Sequence, residues 1–204
     1  EDIKLLVVAC NTASAVALES LRGAVDPLPV IGVVEPGTRA AVEARPGGTH
    51  LVLATETTVR LGAYRDALAH MDPGADVREL PCELLVALAE EGWTDGAEAE
   101  SVIRRYLDMV TQTGYEPDSI ILGCTHFPLL RPAIAACAGR GTSIVDSAET
   151  TSRVVEQALG DAAIRTGKGS LRLLATDGAT RFARVGGRFL GEHLDTSDVE
   201  LVDL

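Results

Sequence analysis

Aromatic side chains are scarce in this chain. They make up 3% of 204 residues, with one Trp, three Tyr and three Phe. Surfaces that stack on the bases of single-stranded nucleic acid are built from such rings, so their scarcity argues against that function. Lysine is scarcer still, at positions 4 and 168 only. Lys4 opens an apolar run. Lys168 lies in Thr166-Gly167-Lys168-Gly169-Ser170, where the following Gly and the upstream glycine spacing do not make a phosphate-binding loop. A pyridoxal phosphate site needs a well-placed lysine and finds none here. No Gly-x-Gly-x-x-Gly follows a strand. No Cys-x-x-Cys is present, so disulfide exchange lacks its motif and a zinc site from Cys10, Cys124 and His126 lacks paired ligand spacing. Chemistry with no cofactor and no metal is therefore expected. No run approaches the ~18 consecutive apolar residues of a membrane helix, and no charged-then-apolar leader opens the chain.

What is abundant is aliphatic and acidic. Hydrophobic residues reach 46%, enough for a well-formed core, and the net charge is −12. That charge argues against nucleic acid and anionic membrane as partners. It also means that an anionic substrate must be held by backbone amides and neutral side chains. Four cysteines, at 10, 82, 124 and 137, without a secretory context read as reduced thiols in a cytoplasmic protein. The length suits one larger or two small α/β domains.

Strand and helix patterns alternate throughout. Apolar strands are predicted over 3–9, 29–34, 50–54, 76–80, 119–122, 142–145, 171–175 and 199–202. Helices are predicted over 12–25, from Thr57 or Thr58 as cap to about 71, over 83–91 and 97–113, from near Pro128, from Ser147 as cap to about 159, and over 181–190. Glu35-Pro36-Gly37-Thr38 reads as a turn leading into a helix that ends before Arg45. Residues 161–170 read as a polar connector. Such alternation implies parallel sheets covered on both faces by helices.

Two cysteines share one local context. Cys10 closes an apolar strand and opens Asn11-Thr12-Ala13-Ser14. Cys124 closes Ser119-Ile120-Ile121-Leu122-Gly123 and opens Thr125-His126-Phe127-Pro128. Open α/β sheets bind ligands at the C-terminal ends of their strands, and helix N-terminal amides there lower a thiol's pKa. One such cysteine is most often a small buried hydrophobe. Two at matched strand ends suggest paired acid/base chemistry, with a base on one face of a carbon acid and an acid on the other. That geometry requires sulfurs roughly 6 to 8 Å apart. The expected architecture is two similar α/β domains facing each other across a cleft, one thiol from each.

His126 stands two residues after Cys124, where it either protonates the site or is a polar residue at a helix start. Glu90 and Glu91 end a helix, where carboxylates oppose the dipole. That conflict permits a role without requiring one. Asp146 reads as a structural cap. His50, His70 and His193 read as ordinary polar positions.

The segments Cys10-Asn11-Thr12-Ala13-Ser14, Gly32-Val33-Val34-Glu35-Pro36-Gly37, Leu53-Ala54-Thr55 with Thr58, and Gly123-Cys124-Thr125-His126-Phe127-Pro128-Leu129-Leu130 resemble glutamate racemase, of the aspartate/glutamate racemase superfamily. The resemblance implies cofactor-independent interconversion of L- and D-glutamate for peptidoglycan synthesis. It makes Cys10 the base toward D-glutamate and Cys124 the base toward L-glutamate. Asn11, Thr12, Thr55, Thr58 and Thr125 become substrate contacts. His126 assists Cys124, and Glu90, in a segment similar to the family's Leu-Val-Glu, becomes the supporting carboxylate. It also implies a discontinuous first domain (1–34 plus 146–204), a second domain (35–145), and a homodimer or a monomer–dimer equilibrium. The family begins with a strand ending in Asp-Ser-Gly, followed by a Tyr-Gly segment. Neither occurs here, so an N-terminal portion is expected to be missing. Racemisation of aspartate, or of another amino acid, differs by little in a pocket and stays open. So does a catalytically inert binding module.

Overall fold

The computed structural model describes residues 3–160 and 169–203; most of the polar connector expected over 161–170 lies outside the described residues. Among these the chain alternates strand and helix, as the pattern implies. The order is β1 (Leu6–Val8), α1 (Asn11–Val25), β2 (Val30–Gly32), α2 (Val34–Ala44), β3 (Thr49–Ala54), α3 (Glu56–Leu61), α4 (Ala63–Met71) and β4 (Asp76–Pro81). There follow α5 (Glu83–Glu91), α6 (Gly96–Thr111), β5 (Ser119–Gly123), a 3-10 turn over Phe127–Leu130, α7 (Arg131–Cys137), β6 (Ser143–Asp146), α8 (Ser147–Leu159), β7 (Leu173–Ala175), α9 (Ala179–Leu190) and β8 (Val199–Leu201).

The central sheet has the order β4-β3-β5-β6, and every pairing in it is parallel. Its inner strands, β3 and β5, are apolar on both faces because both are covered. Leu51, Leu53, Ile120 and Leu122 point to one side, against Leu85 of α5 and Ile103 of α6. Val52, Ala54 and Ile121 alternate to the other, against Ala41 of α2 and Leu68 of α4. β1 pairs with β2 and β7 with β8, each as a separate parallel pair. Ser14 ties α1 to the first pair: its hydroxyl donates to the Val8 carbonyl at 2.8 Å and accepts from the Val33 amide at 3.2 Å.

Four details depart from the sequence expectations. The first strand pairs over three residues rather than seven. Glu35-Pro36-Gly37-Thr38 is not a turn but the start of α2. Pro36 falls in the first helical turn, where its missing N–H had no partner to lose. The helix expected to run to 71 is two helices, broken at Gly62 with φ +67°, a left-handed conformation that glycine adopts at no Cβ cost. The cap of the first is Thr55, not Thr57 or Thr58: its hydroxyl accepts from the Thr58 amide. The cap of α8 is Asp146, accepting from the Ala148 and Glu149 amides, rather than Ser147.

Candidate active site

The C-terminal ends of β1 and β5 meet at the cysteines. Cys10 is exposed and is the N-cap of α1, its Sγ accepting from the Ala13 amide at 3.5 Å. Cys124 follows β5 and is 8% exposed. The two regions are joined directly: the Thr125 hydroxyl donates to the carbonyl of Ala9, the residue before Cys10, at 3.0 Å. The charge of Cys10 acts on the Cys124 thiol, so the two sulfurs lie within electrostatic reach of one another.

The environment of Cys124 differs from the expected one. Burial pushes its thiol up to about 11, and the amides of His126 and Thr125 only partly oppose this. The strand-end amides act in the expected direction, but desolvation of the anion outweighs them. His126 lies beside the sulfur, with Nδ1 at 3.7 Å from Sγ. Its other nitrogen, Nε2, is 3.1 Å from Glu90 Oε1. Glu90 thus ends α5 facing a partner, which explains a carboxylate at the unfavourable end of a helix. Its second oxygen pairs with Arg181 of α9, and Arg184 of the same helix donates to the Glu90 carbonyl. Arg181 foremost, and His126 after it, hold the Glu90 carboxyl below its usual value. The Phe189 ring of α9 meets His126 edge-on at 5.6 Å.

On the Cys10 side the hydroxyls converge. Thr12 Oγ1 lies 2.8 Å from Thr58 Oγ1 and 3.4 Å from Thr55 Oγ1, and the last two are 3.0 Å apart. Asn11 is 3% exposed. Its Oδ1 accepts from the phenol of Tyr64 at 2.6 Å. A 360 Å³ cavity touching Val7, Ala9, Thr125 and Ser147 opens beside the same strand ends.

The structure therefore brings together all nine sequence-selected residues: Cys10, Asn11 and Thr12 from one strand end, Thr55 and Thr58 from α3, and Cys124, Thr125 and His126 with Glu90. Tyr64 and Arg181 escaped the sequence reading. Tyr64 is a lone aromatic on a short helix. Arg181 looks like the solvent face of an amphipathic one. The remaining thiols are engaged elsewhere, Cys82 donating to the Leu80 carbonyl and Cys137 to the Glu100 carbonyl, and His50 is a buried sheet residue bonded to Ser119. Among the described residues no cluster of metal-ligating side chains occurs.

Two parallel α/β sheets meeting at thiol-bearing strand ends define a class. The chain belongs to the Asp/Glu/Hydantoin racemase family, whose model matches residues 1–155. Over 206 aligned positions it is 44% identical to the glutamate racemase of Geobacter metallireducens, spanning 100% of this chain and 74% of that protein. Among solved structures it is similar to a glutamate racemase isoform of Bacillus anthracis, at 33% identity and TM-score 0.85, covering 99% of this chain and 74% of that one. It is likewise similar to the glutamate racemase of Francisella tularensis in complex with D-glutamate, at 28% identity and TM-score 0.85, with the same coverage.

Proposed function

We propose that this chain interconverts L- and D-glutamate without a cofactor, through two cysteine bases. The observation that carries the reading is the Thr125–Ala9 hydrogen bond, which ties the two thiol-bearing strand ends together. One thiolate removes the α-proton, and the electron pair left on carbon delocalises into the carboxylate. The opposite thiol donates its proton to the other face, and the two cysteines end with their protonation states exchanged. Cys10 serves D-glutamate and Cys124 serves L-glutamate. The buried Cys124 thiol needs help to ionise, and the His126–Glu90 pair supplies a proton path beside it. Neutral donors from Asn11, Thr12, Thr55, Thr58 and Thr125 hold the substrate carboxylates, in keeping with the acidic chain. The product D-glutamate serves peptidoglycan synthesis in the cytoplasm. The domain division is 1–34 plus 146–204 against 35–145, and the assembly is a homodimer or a monomer–dimer equilibrium.

Proton NMR in deuterated buffer tests this. The α-proton of both glutamate enantiomers should exchange, and aspartate should exchange far more slowly. Cys10→Ser and Cys124→Ser should each abolish racemisation, because a serine hydroxyl is a much weaker acid than a thiol. Exchange that survives either substitution at the parent rate, or glutamate that never exchanges, overturns the proposal.

A further inference from the structure

Asn11 poses a question that its neighbours answer. A side-chain amide carries an acceptor oxygen and a two-proton donor. The oxygen is engaged by Tyr64, while Nδ2 is buried and has no protein partner. A buried donor left unpaired is costly, roughly 1 to 3 kcal/mol, and such a cost persists where the group has a ligand to meet. Asn11 opens α1 directly after Cys10, and its partner Tyr64 packs against Gly123, the residue before Cys124. The amide is thus held between the two sulfur-bearing strand ends.

The orientation of that amide is set by the phenol. The 2.6 Å separation is short for N–H···O and ordinary for O–H···O, which assigns the oxygen of Asn11 to the Tyr64 side. Burial keeps the phenol protonated, since it pushes the Tyr64 pKa far up. The ring itself cannot move. Tyr64 is 0% exposed. A Cβ on Gly123 would stand 3.1 Å from its Cε2, and one on Gly37 would stand 3.8 Å from both its Cε1 and its hydroxyl. The backbone of β5 therefore presses on the ring, and Gly123 allows that approach, whereas α2 meets it at ordinary contact distance.

We propose that Tyr64 is a positioning residue: its phenol locks the Asn11 amide so that the NH2 group, not the carbonyl, faces a carboxylate of the substrate. This rests on the glutamate racemisation reading above. Removing the hydroxyl frees the amide to rotate, and the rotated form presents an oxygen to an anion.

The test is Tyr64→Phe in the full chain, with steady-state kinetics on both glutamate enantiomers. KM should rise about tenfold, with kcat changed less than threefold, the pattern of lost uniform binding. Asn11→Ala should raise KM similarly, and the double variant should be no worse than Asn11→Ala alone. A purely structural Tyr64 would instead lower the active fraction and the melting temperature, leave KM alone, and add to Asn11→Ala. An unchanged KM in Tyr64→Phe, or additivity, overturns the inference. Asn11→Asp provides a second variant: it keeps an acceptor for the phenol but places an oxygen in the cleft, and should weaken glutamate binding more than Asn11→Ala does. Failure of the parent chain to exchange glutamate protons refutes the function, not the clamp. The clamp is read independently in the free protein from the Asn11 side-chain carbonyl carbon resonance, which must shift in Tyr64→Phe and is refuted if it does not.

Discussion

Cys10 and Cys124 occupy matched positions in sequence but unequal surroundings, one exposed at a helix cap and the other 8% exposed behind a strand. A thiol pushed up to about 11 is overwhelmingly protonated at neutral pH. Its thiolate fraction rises tenfold per pH unit until the pKa is approached, and only the thiolate alkylates. Alkylation of Cys124 by iodoacetamide, followed by mass spectrometry of its peptide, should therefore accelerate about tenfold per unit from roughly pH 7 to 10. A rate that levels off below pH 9 contradicts the burial argument. The sequence showed which atoms gather here but not their energetics. Strand-end position is a local property, whereas the burial of Cys124 comes from a core cluster that gathers Leu51, Leu85 and Ile103 from far along the chain. Tyr64 was missed for the same reason, since nothing around it in the chain points to Asn11, 53 residues away.

The elements were legible where periodicity is strong. The apolar runs of β3 and β5 and the starts of α1 and α8 lie within a residue of expectation. The failures have local physical causes. Gly62 divides one helical pattern into α3 and α4, because a left-handed residue ends one helix as its neighbour begins the next. Glu35-Pro36-Gly37-Thr38 has turn composition, yet Pro36 fits a first helical turn and Gly37 is carried within the helix. Gly123 shows how tightly an element end is built. A Cβ there would approach the Leu53 carbonyl at 2.9 Å and Val52 Cγ1 at 3.1 Å, besides the Tyr64 ring. Backbone of the adjacent strand cannot yield as a side-chain tip can. Gly123→Ala should therefore destabilise the protein by about 1 to 3 kcal/mol and impair catalysis further by displacing Cys124. Denaturant unfolding gives the first effect, and activity per folded molecule gives the second. A variant of parent stability and activity would show that β3 and β5 are looser than described.

At the scale of the whole molecule, the site is closed by contacts that span much of the chain. Thr125 reaches Ala9 across 116 residues, and Arg181 reaches Glu90 across 91. The first closure was implied by the two similar cysteine motifs. The second was not, because Arg181 is 68% exposed and its helix shows a solvent face like any other. Through it α9 sets the charge of the carboxylate that faces His126. The groups surrounding that pair are Cys124 on β5's end, Arg181 and Arg184 on α9, and Glu91 beside Glu90. Cys10 and Glu83 act on the sulfur from farther away. Arg181 holds Glu90 below the usual carboxylate value, so the pair favours the docked helix above that value and loses the contribution as pH falls through the lowered one. An exposed pair of this kind is worth no more than about 1 kcal/mol, so Arg181→Ala should leave the protein folded. Glu90 should then titrate higher, and the acidic limb of the pH–rate profile should move to higher pH. The shift should be larger for L-glutamate, the direction proposed to use Cys124, than for D-glutamate. Arg181→Lys should restore most of it, since a lysine also supplies a cation to that carboxylate. Profiles measured in both directions decide the matter, and equal displacement of the two, or none, would mean that α9 supports the fold without tuning the His126–Glu90 pair.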